Sequence, residues 1–180
     1  MYSREQTALI LSLIDSLSVD ESRTSETHIQ NYIYFTQEML EVPMDFEFVL
    51  YKNSPYSFDL SEKLTSLRAD RLLAIELNNS YPCFVITDLG KKYIGRFPKT
   101  LAPHKKQIGF IVKNLGAKDI RELGQLATAL LIDRTEKNRI EDLNKLKEAI
   151  SNKPDERVGK SLEFIRNTWL GLKNRSVSLT

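Results

Sequence analysis

The sequence predicts a mainly α protein with a small β component (α+β), built as a winged helix-turn-helix followed by a C-terminal helical bundle. Apolar residues recur at helical spacing in most segments, whereas residues 72–86 have the pattern of a β-hairpin. The order helix, helix, strand, helix, hairpin is that of a winged helix-turn-helix with one additional strand before the third helix. We therefore expect the winged helix-turn-helix at 1–97, antiparallel helices packed on it at 98–173, and a frayed tail at 174–180.

The composition is that of a globular protein with its own core. Of the 180 residues, 41% are hydrophobic and 28% are charged. The single cysteine, Cys83, excludes an internal disulfide and is typical of a reducing compartment. The N-terminal segment has the pattern of an amphipathic helix rather than a signal peptide, and no apolar run approaches the roughly 20 residues that span a bilayer. These features predict a cytoplasmic protein that does not enter a membrane.

Two helices are predicted at the N-terminal end. Ser3 and Gln6 have the spacing of a capping box. The apolar stripe that follows is Ile10, Leu13, Ile14 and Leu17. The second helix covers about 26–40, with its stripe at Ile29, Tyr32, Ile33, Thr36 and Leu40. Because Tyr34 and Phe35 lie off that stripe, we expect the C-terminal helices to cover a second apolar face; a homodimer is the alternative.

The stretch NSPYSFDL, residues 53–60, leads into the third helix. A strand before it is predicted by the alternating residues Phe46, Phe48 and Leu50. Pro55 predicts a turn, and Ser57 predicts a helix N-cap followed by Asp59 in the first turn. Phe58 and Leu60 are expected to pack the start of this helix on the core. The buried stripe of the helix is Leu60, Leu64 and Leu67.

The sequence LLAIELNNSYPCFVITDLGKKYI, residues 72–94, predicts a hairpin and a short helix. Its two strands flank a turn from Asn78 to Tyr81, which would be the tip of the wing. Thr87 or Asp88 is the expected N-cap of the helix.

Several helices are predicted in the C-terminal part. Gly116 is expected to end one of them, and Asp119 with Glu122 is expected to begin the next. The apolar stripes of the C-terminal helices are Ile108, Ile111, Val112 and Leu115; Ile120, Leu123, Ala127, Leu130 and Leu131; Ile140, Leu143 and Ile150; and Val158, Leu162, Ile165, Trp169 and Leu172.

Three segments carry a resemblance: IQNYIYFTQEM, LYKNSPYSFDLSEKLTSL and FVITDLGKKYI. They resemble the YwgA-like family of uncharacterised prokaryotic proteins, with a looser likeness to the Panacea antitoxin domain and related phage-defence-associated proteins. The shared features are the second helix, a Tyr-Gly-Pro-Tyr-Ser-type turn and a Thr-x-x-Gly after the wing. Asn31 stands where that family usually has lysine, and Ser54 replaces the glycine before Pro55. The resemblance implies a winged-helix protein with a helical C-terminal part, and it implies no enzyme.

Catalytic and metal-binding patterns are absent from the sequence. His28 and His104 have no partner ligands at helical spacing, so surface imidazoles are expected. Cys83 lies in an alternating strand, where a small apolar role is expected. The serines of residues 54–61 have no Gly-x-Ser-x-Gly context, and no glycine-rich phosphate loop occurs. We therefore expect no enzymatic activity and no cofactor.

Charge is distributed unevenly along the chain. Residues 1–90, the acidic front, hold six Lys or Arg and fourteen Asp or Glu. Residues 91–118, the basic segment, hold eight Lys or Arg and no acid. The third helix is mixed, because Lys63, Arg68 and Arg71 alternate with acidic residues. The candidate residues for binding nucleic acid or a partner are Asn53, Tyr56, Lys63, Arg68, Arg71, Lys91, Lys92, Arg96, Lys99, Lys105 and Lys106.

Two functions of different classes follow from this distribution. The first is a DNA-binding transcriptional regulator or antitoxin-like factor, favoured by the predicted topology and by the basic segment. The second is a winged-helix protein-interaction module, with the acidic front as its docking surface, in a larger complex such as a phage-defence assembly. Fold alone does not separate the two, because winged helices serve in both roles.

Overall fold

The computed structural model describes residues 3–18, 24–52, 54–78, 81–137 and 156–177, and it confirms a mainly helical protein with a small β component. The helices are α1 (Arg4–Ser18), α2 (Glu26–Glu38), α3 (Phe58–Ala69), α4 (Asp88–Ile94), α5 (Pro98–Leu101), α6 (Lys105–Leu115), α7 (Ile120–Lys137) and α8 (Glu156–Val177). The strands are β1 (Val49–Tyr51), β2 (Ser54–Tyr56), β3 (Leu73–Asn78) and β4 (Tyr81–Ile86). They form two separate antiparallel hairpins, β1–β2 and β3–β4.

Helix α1 lies in the centre of the protein and is buried on most of its surface. It packs against β4, α4, α5 and α6, and its predicted apolar stripe is fully buried. The Ser3 hydroxyl accepts a hydrogen bond from the Gln6 amide at 2.9 Å, as the capping-box spacing predicts. The Gln6 side chain does not return to Ser3, however, because it donates to the carbonyl of Met44.

Helix α2 is covered on both of its apolar faces, as predicted. Tyr34 and Phe35, which lie off the main stripe, are 2% and 0% exposed. Helices α6 and α7 pack on α2, and the Tyr32 hydroxyl donates to the carbonyl of Gly116 at 3.2 Å. Burial, with a smaller contribution from Glu38, raises the pKa of the Tyr34 phenol. The C-terminal helices therefore provide the cover that α2 requires.

The chain between α2 and β1 is extended but is not a regular strand. Leu40, Val42, Met44 and Phe46 are buried and alternate with exposed residues, yet β1 begins only at Val49. The prediction of a regular strand at Phe46 is therefore wrong, although the predicted alternation of buried and exposed side chains is right. The reason is that Gln37 of α2 takes the place of a strand partner, since its side-chain amide exchanges two hydrogen bonds of 2.9 Å with the backbone of Phe46.

The Ser54–Pro55 pair lies in strand β2, so the predicted turn at Pro55 is wrong. Leu50 pairs with Pro55 and Tyr51 with Ser54, so Lys52 is the described residue of the turn between the strands. Lys52 has φ 48°, in the left-handed region that tight hairpin turns require. The helix after this hairpin starts as predicted, because the Ser57 hydroxyl accepts a hydrogen bond from the Leu60 amide at 3.3 Å.

Hairpin β3–β4 confirms the second β prediction, with Leu77 opposite Pro82 and Asn78 opposite Tyr81. The Phe84 amide of β4 also donates to the carbonyl of Thr24 at 2.9 Å, so the segment before α2 joins the edge of this hairpin. Thr87 caps α4, since its hydroxyl accepts from the Gly90 amide at 3.0 Å.

The C-terminal helices share one apolar core with the N-terminal part. Phe110 of α6 and Trp169 of α8 meet edge to face at 5.2 Å, and Arg166 of α8 binds Asp133 of α7 at 2.7 Å. The stripe predicted at Ile140, Leu143 and Ile150 lies outside the described residues. Helix α8 continues through Val177, past the point at 174 from which the sequence predicts a frayed end.

Candidate nucleic-acid and partner interface

Helix α3, the predicted recognition element, exposes fewer cations than its sequence suggests. Lys63 is only 8% exposed, so the prediction that it contacts a ligand from the helix surface is wrong. Burial lowers the pKa of its ammonium group, an effect that nearby Asp70 partly offsets. The exposed residues of the first two turns include Asp59 and Glu62. The N-terminal half of α3 therefore presents carboxylates, which disfavours close approach of a phosphate backbone.

The burial of Lys63 has a measurable consequence. We expect Lys63→Met to leave the affinity for duplex DNA unchanged, because only 8% of the Lys63 residue is exposed. Arg68→Met is the matched comparison, since Arg68 is exposed one turn later on the same helix. Loss of one phosphate contact corresponds to roughly eightfold in affinity at 0.1 M salt. Fluorescence anisotropy with a labelled duplex measures both; weaker binding by Lys63→Met alone would contradict the placement of Lys63.

The C-terminal end of α3 brings two predicted cations to the surface. Arg68 and Arg71 are exposed, and Arg71 has φ 58° in the left-handed position that ends the helix. The Leu72 amide donates to the carbonyl of Leu67 and the Arg71 amide to that of Arg68, both at 2.9 Å, which is the Schellman pattern. The Thr87 hydroxyl donates to the Arg71 carbonyl at 2.6 Å, so the end of α3 is attached to the start of α4.

Six predicted cations form what we call the basic surface. They come from helices α4, α5 and α6 and from the turn after α4, and all are exposed: Lys91, Lys92, Arg96, Lys99, Lys105 and Lys106. Arg96 shares a shallow cavity of about 290 Å³ with Asp70 and Leu72, beside the end of α3, and Leu89 and Tyr93 complete its lining. Within the described residues, Lys91, Lys92 and Arg96 make no ion pair with a carboxylate. At these three residues the basic surface therefore carries positive charge that no described carboxylate pairs with.

An exposed group of three rings, here called the aromatic patch, lies on hairpin β1–β2 and the start of α3. Its members are Tyr51, Tyr56 and Phe58, with ring centroids 5.1–5.9 Å apart. Phe58 is 57% exposed, so the prediction that it packs on the core is wrong. Tyr56, a predicted contact residue, is half-buried and its hydroxyl donates to Glu26 at 3.1 Å. Asn53, the other residue predicted here, lies outside the described residues.

Two residues of the aromatic patch were not among the predicted contacts. The signal for Phe58 was present in the helical spacing, because Phe58 lies two residues before Leu60 and so roughly 200° away around the helix. The signal for Tyr51 was the strand alternation, which places it on the face opposite Leu50.

The histidines differ in environment. His28 is 6% exposed, which contradicts the expected surface imidazole, and its Nδ1 lies 2.6 Å from the Ser25 hydroxyl. His104 is half-buried, and desolvation lowers its pKa. Among the described residues, no three His, Cys, Asp or Glu side chains are grouped as metal ligands. None of the described helices combines the length and apolar character needed to cross a membrane.

No protein-family model matches the chain, and no curated protein matches it at a significant level. The resemblance to the YwgA-like family consequently stays a prediction. The basic surface and the aromatic patch are the features of the described residues that bear on function.

Proposed function

We propose that this chain is a non-enzymatic, cytoplasmic winged-helix protein that binds double-stranded DNA, as a transcriptional regulator or antitoxin-like factor. The observation that carries the proposal is the basic surface, in which three helices and the turn after α4 expose six Lys or Arg side chains. A duplex carries a dense row of phosphates, and exposed cations that replace its counterions supply most of the sequence-independent affinity.

The arrangement of elements supports a winged-helix contact. Helix α3 precedes the exposed hairpin β3–β4, and the backbone bond from Phe84 to Thr24 adds a third segment to that hairpin. The acidic start of α3 restricts the approach to its C-terminal end, where Arg68 and Arg71 adjoin the basic surface. We infer that DNA lies along α4 to α6 and reaches α3 only at that end.

A salt titration tests this function. Anisotropy with a labelled random duplex is expected to show affinity that falls with salt. A plot of the logarithm of the binding constant against the logarithm of the salt concentration should have a slope of about −5 if each of the six cations neutralises one phosphate. Negligible binding at low salt would overturn the proposal.

The alternative function is a protein-interaction module that docks through the acidic front. A specific observation favours it: α3 buries Lys63 and exposes Asp59 and Glu62 beside the aromatic patch. Exposed aromatic groups of this kind are enriched at protein interfaces. The resemblance to phage-defence-associated proteins would place such a module in a larger assembly. Light scattering on the purified chain measures whether it forms a homodimer, which the sequence offered only as an alternative.

A further inference from the structure

We propose that the aromatic patch, with Glu62 and Asp59 beside it, is a binding site for an arginine side chain in an extended segment of a partner protein. This inference rests on the second function above, and it names the chemistry of the partner. Three features of the described residues support it: the preorganisation of the rings, the charge around them, and the way the rings contact one another.

The patch is held in place from beneath. One carboxylate oxygen of Glu26 accepts hydrogen bonds from the Tyr56 hydroxyl at 3.1 Å and from the Ser61 hydroxyl at 2.6 Å. The side chain of Gln30 exchanges two hydrogen bonds of 2.9 Å with the backbone of Ser57, the residue between Tyr56 and Phe58 in the sequence. These bonds hold the Tyr56 ring and the backbone next to Phe58, so this part of the patch loses little conformational entropy when a ligand binds.

The charge beside the rings selects a cation. Phe58 and Glu62 are four residues apart on α3, so their side chains are neighbours on the helix surface. Asp59 is exposed in the same turn, and Glu26 lies beneath Tyr56. The chain's own Lys52 already places its ammonium 5.2 Å from the centre of the Tyr51 ring. Nucleic-acid bases could also stack on such rings, but the neighbouring carboxylates would repel their phosphates.

The ring geometry favours arginine over other cations. The rings of Tyr56 and Phe58 meet edge to face at 5.1 Å, and those of Tyr51 and Phe58 at 5.9 Å. Because the rings contact one another, they do not enclose a cavity that a compact ammonium group could enter. They form a continuous outer surface, on which a planar guanidinium can stack while it donates two hydrogen bonds to a carboxylate such as Glu62.

Peptide binding to the full chain tests the proposal. The probe is a fluorescein-labelled peptide of alternating glycine and arginine, compared with glycine–lysine and glycine–glutamate peptides of equal length. We expect the arginine peptide to bind best, and Phe58→Ala to weaken its binding by about fivefold. Glu62→Gln should weaken it as well. Tyr81→Ala is the matched control, because Tyr81 is 71% exposed on the other hairpin and should have no effect.

The contradicting outcomes are distinct. Equal binding of the arginine and lysine peptides, unaffected by Phe58→Ala, would overturn the patch while leaving an acidic docking surface in place. No binding of either cationic peptide would overturn the patch and the docking surface together. A labelled oligo-dT that binds the chain and is lost in Phe58→Ala would show a base-stacking platform and would also overturn the proposal. Duplex binding should be unchanged in Phe58→Ala, so failure of the DNA function is detected separately.

Discussion

Gly90→Ala is expected to lower the free energy of unfolding by about 3 kcal/mol, because a side chain at this position overpacks a junction of three elements. A Cβ at Gly90 would lie 2.3 Å from the carbonyl oxygen of Leu72 and 2.6 Å from Cγ1 of Ile86. The Leu72 carbonyl cannot retreat freely, since it also accepts a hydrogen bond from the Thr87 amide at 3.2 Å. Urea denaturation followed by circular dichroism measures the loss.

The matched control is Gly109→Ala in α6. A Cβ at Gly109 would meet no atom within 4 Å, and the residue is exposed. Alanine is favoured over glycine inside a helix by about 0.8–1.0 kcal/mol, so this variant should be more stable than the parent chain. Changes of the same sign in both variants would contradict the close approach of α4 to Leu72.

This junction explains the Thr-x-x-Gly sequence that follows hairpin β3–β4. Thr87 caps α4 through the Gly90 amide and also bonds the end of α3 through the Arg71 carbonyl. Gly90 lets α4 approach Leu72 more closely than any side chain would permit. The two residues together attach α4, with Lys91 and Lys92, to the end of α3 that carries Arg71. The pattern thus sets the geometry of the proposed DNA contact without touching DNA.

Replacing the two lysines of α4 and Arg96 in the turn after it should have the second large effect. The triple variant Lys91→Gln, Lys92→Gln and Arg96→Gln is expected to weaken duplex binding by roughly 500-fold at 0.1 M salt, because each lost phosphate contact corresponds to roughly eightfold. The salt slope should become shallower by about 3. Anisotropy titrations over a salt series measure both quantities, and circular dichroism checks that the fold is intact.

A second triple variant controls for net charge. Arg157→Gln, Lys160→Gln and Lys173→Gln remove the same charge from exposed positions of α8. Lys160 and Lys173 are in exposed ion pairs with Glu156 and Glu41, and such pairs contribute little to stability. We expect this variant to keep the slope of the parent chain. An equal loss of duplex affinity in the two triple variants would mean that overall charge, and not the basic surface, governs binding.

Features that depend on neighbouring residues were predictable from the sequence. The caps at Ser3, Ser57 and Thr87 were predicted because each involves atoms three residues apart. The β3–β4 hairpin was predicted for the same reason, since its register follows from a short turn. The exposure of the basic surface was also predictable, because charged side chains in a segment without acids have no local partner that would permit burial.

The burial of Lys63 could have been predicted from helical spacing, although the sequence analysis placed this residue on the surface. It lies three residues after Leu60 and four before Leu67, on the same face as the buried leucines. The expectation of a basic recognition helix assigned it to the surface, whereas helical spacing alone places it on the buried side. The structure agrees with the spacing.

Local sequence patterns predicted most of the described helices, the β3–β4 hairpin, the caps and the concentration of cations in residues 91–118. The folded chain alone revealed that Gln30 and Gln37 bond the backbone of distant residues, and that Gly90 meets Leu72. It also decided that Phe58 joins Tyr51 and Tyr56 in an exposed patch. The physical reason is range: caps and stripes depend on residues within one or two turns, whereas these contacts depend on segments brought together by burial of the shared core.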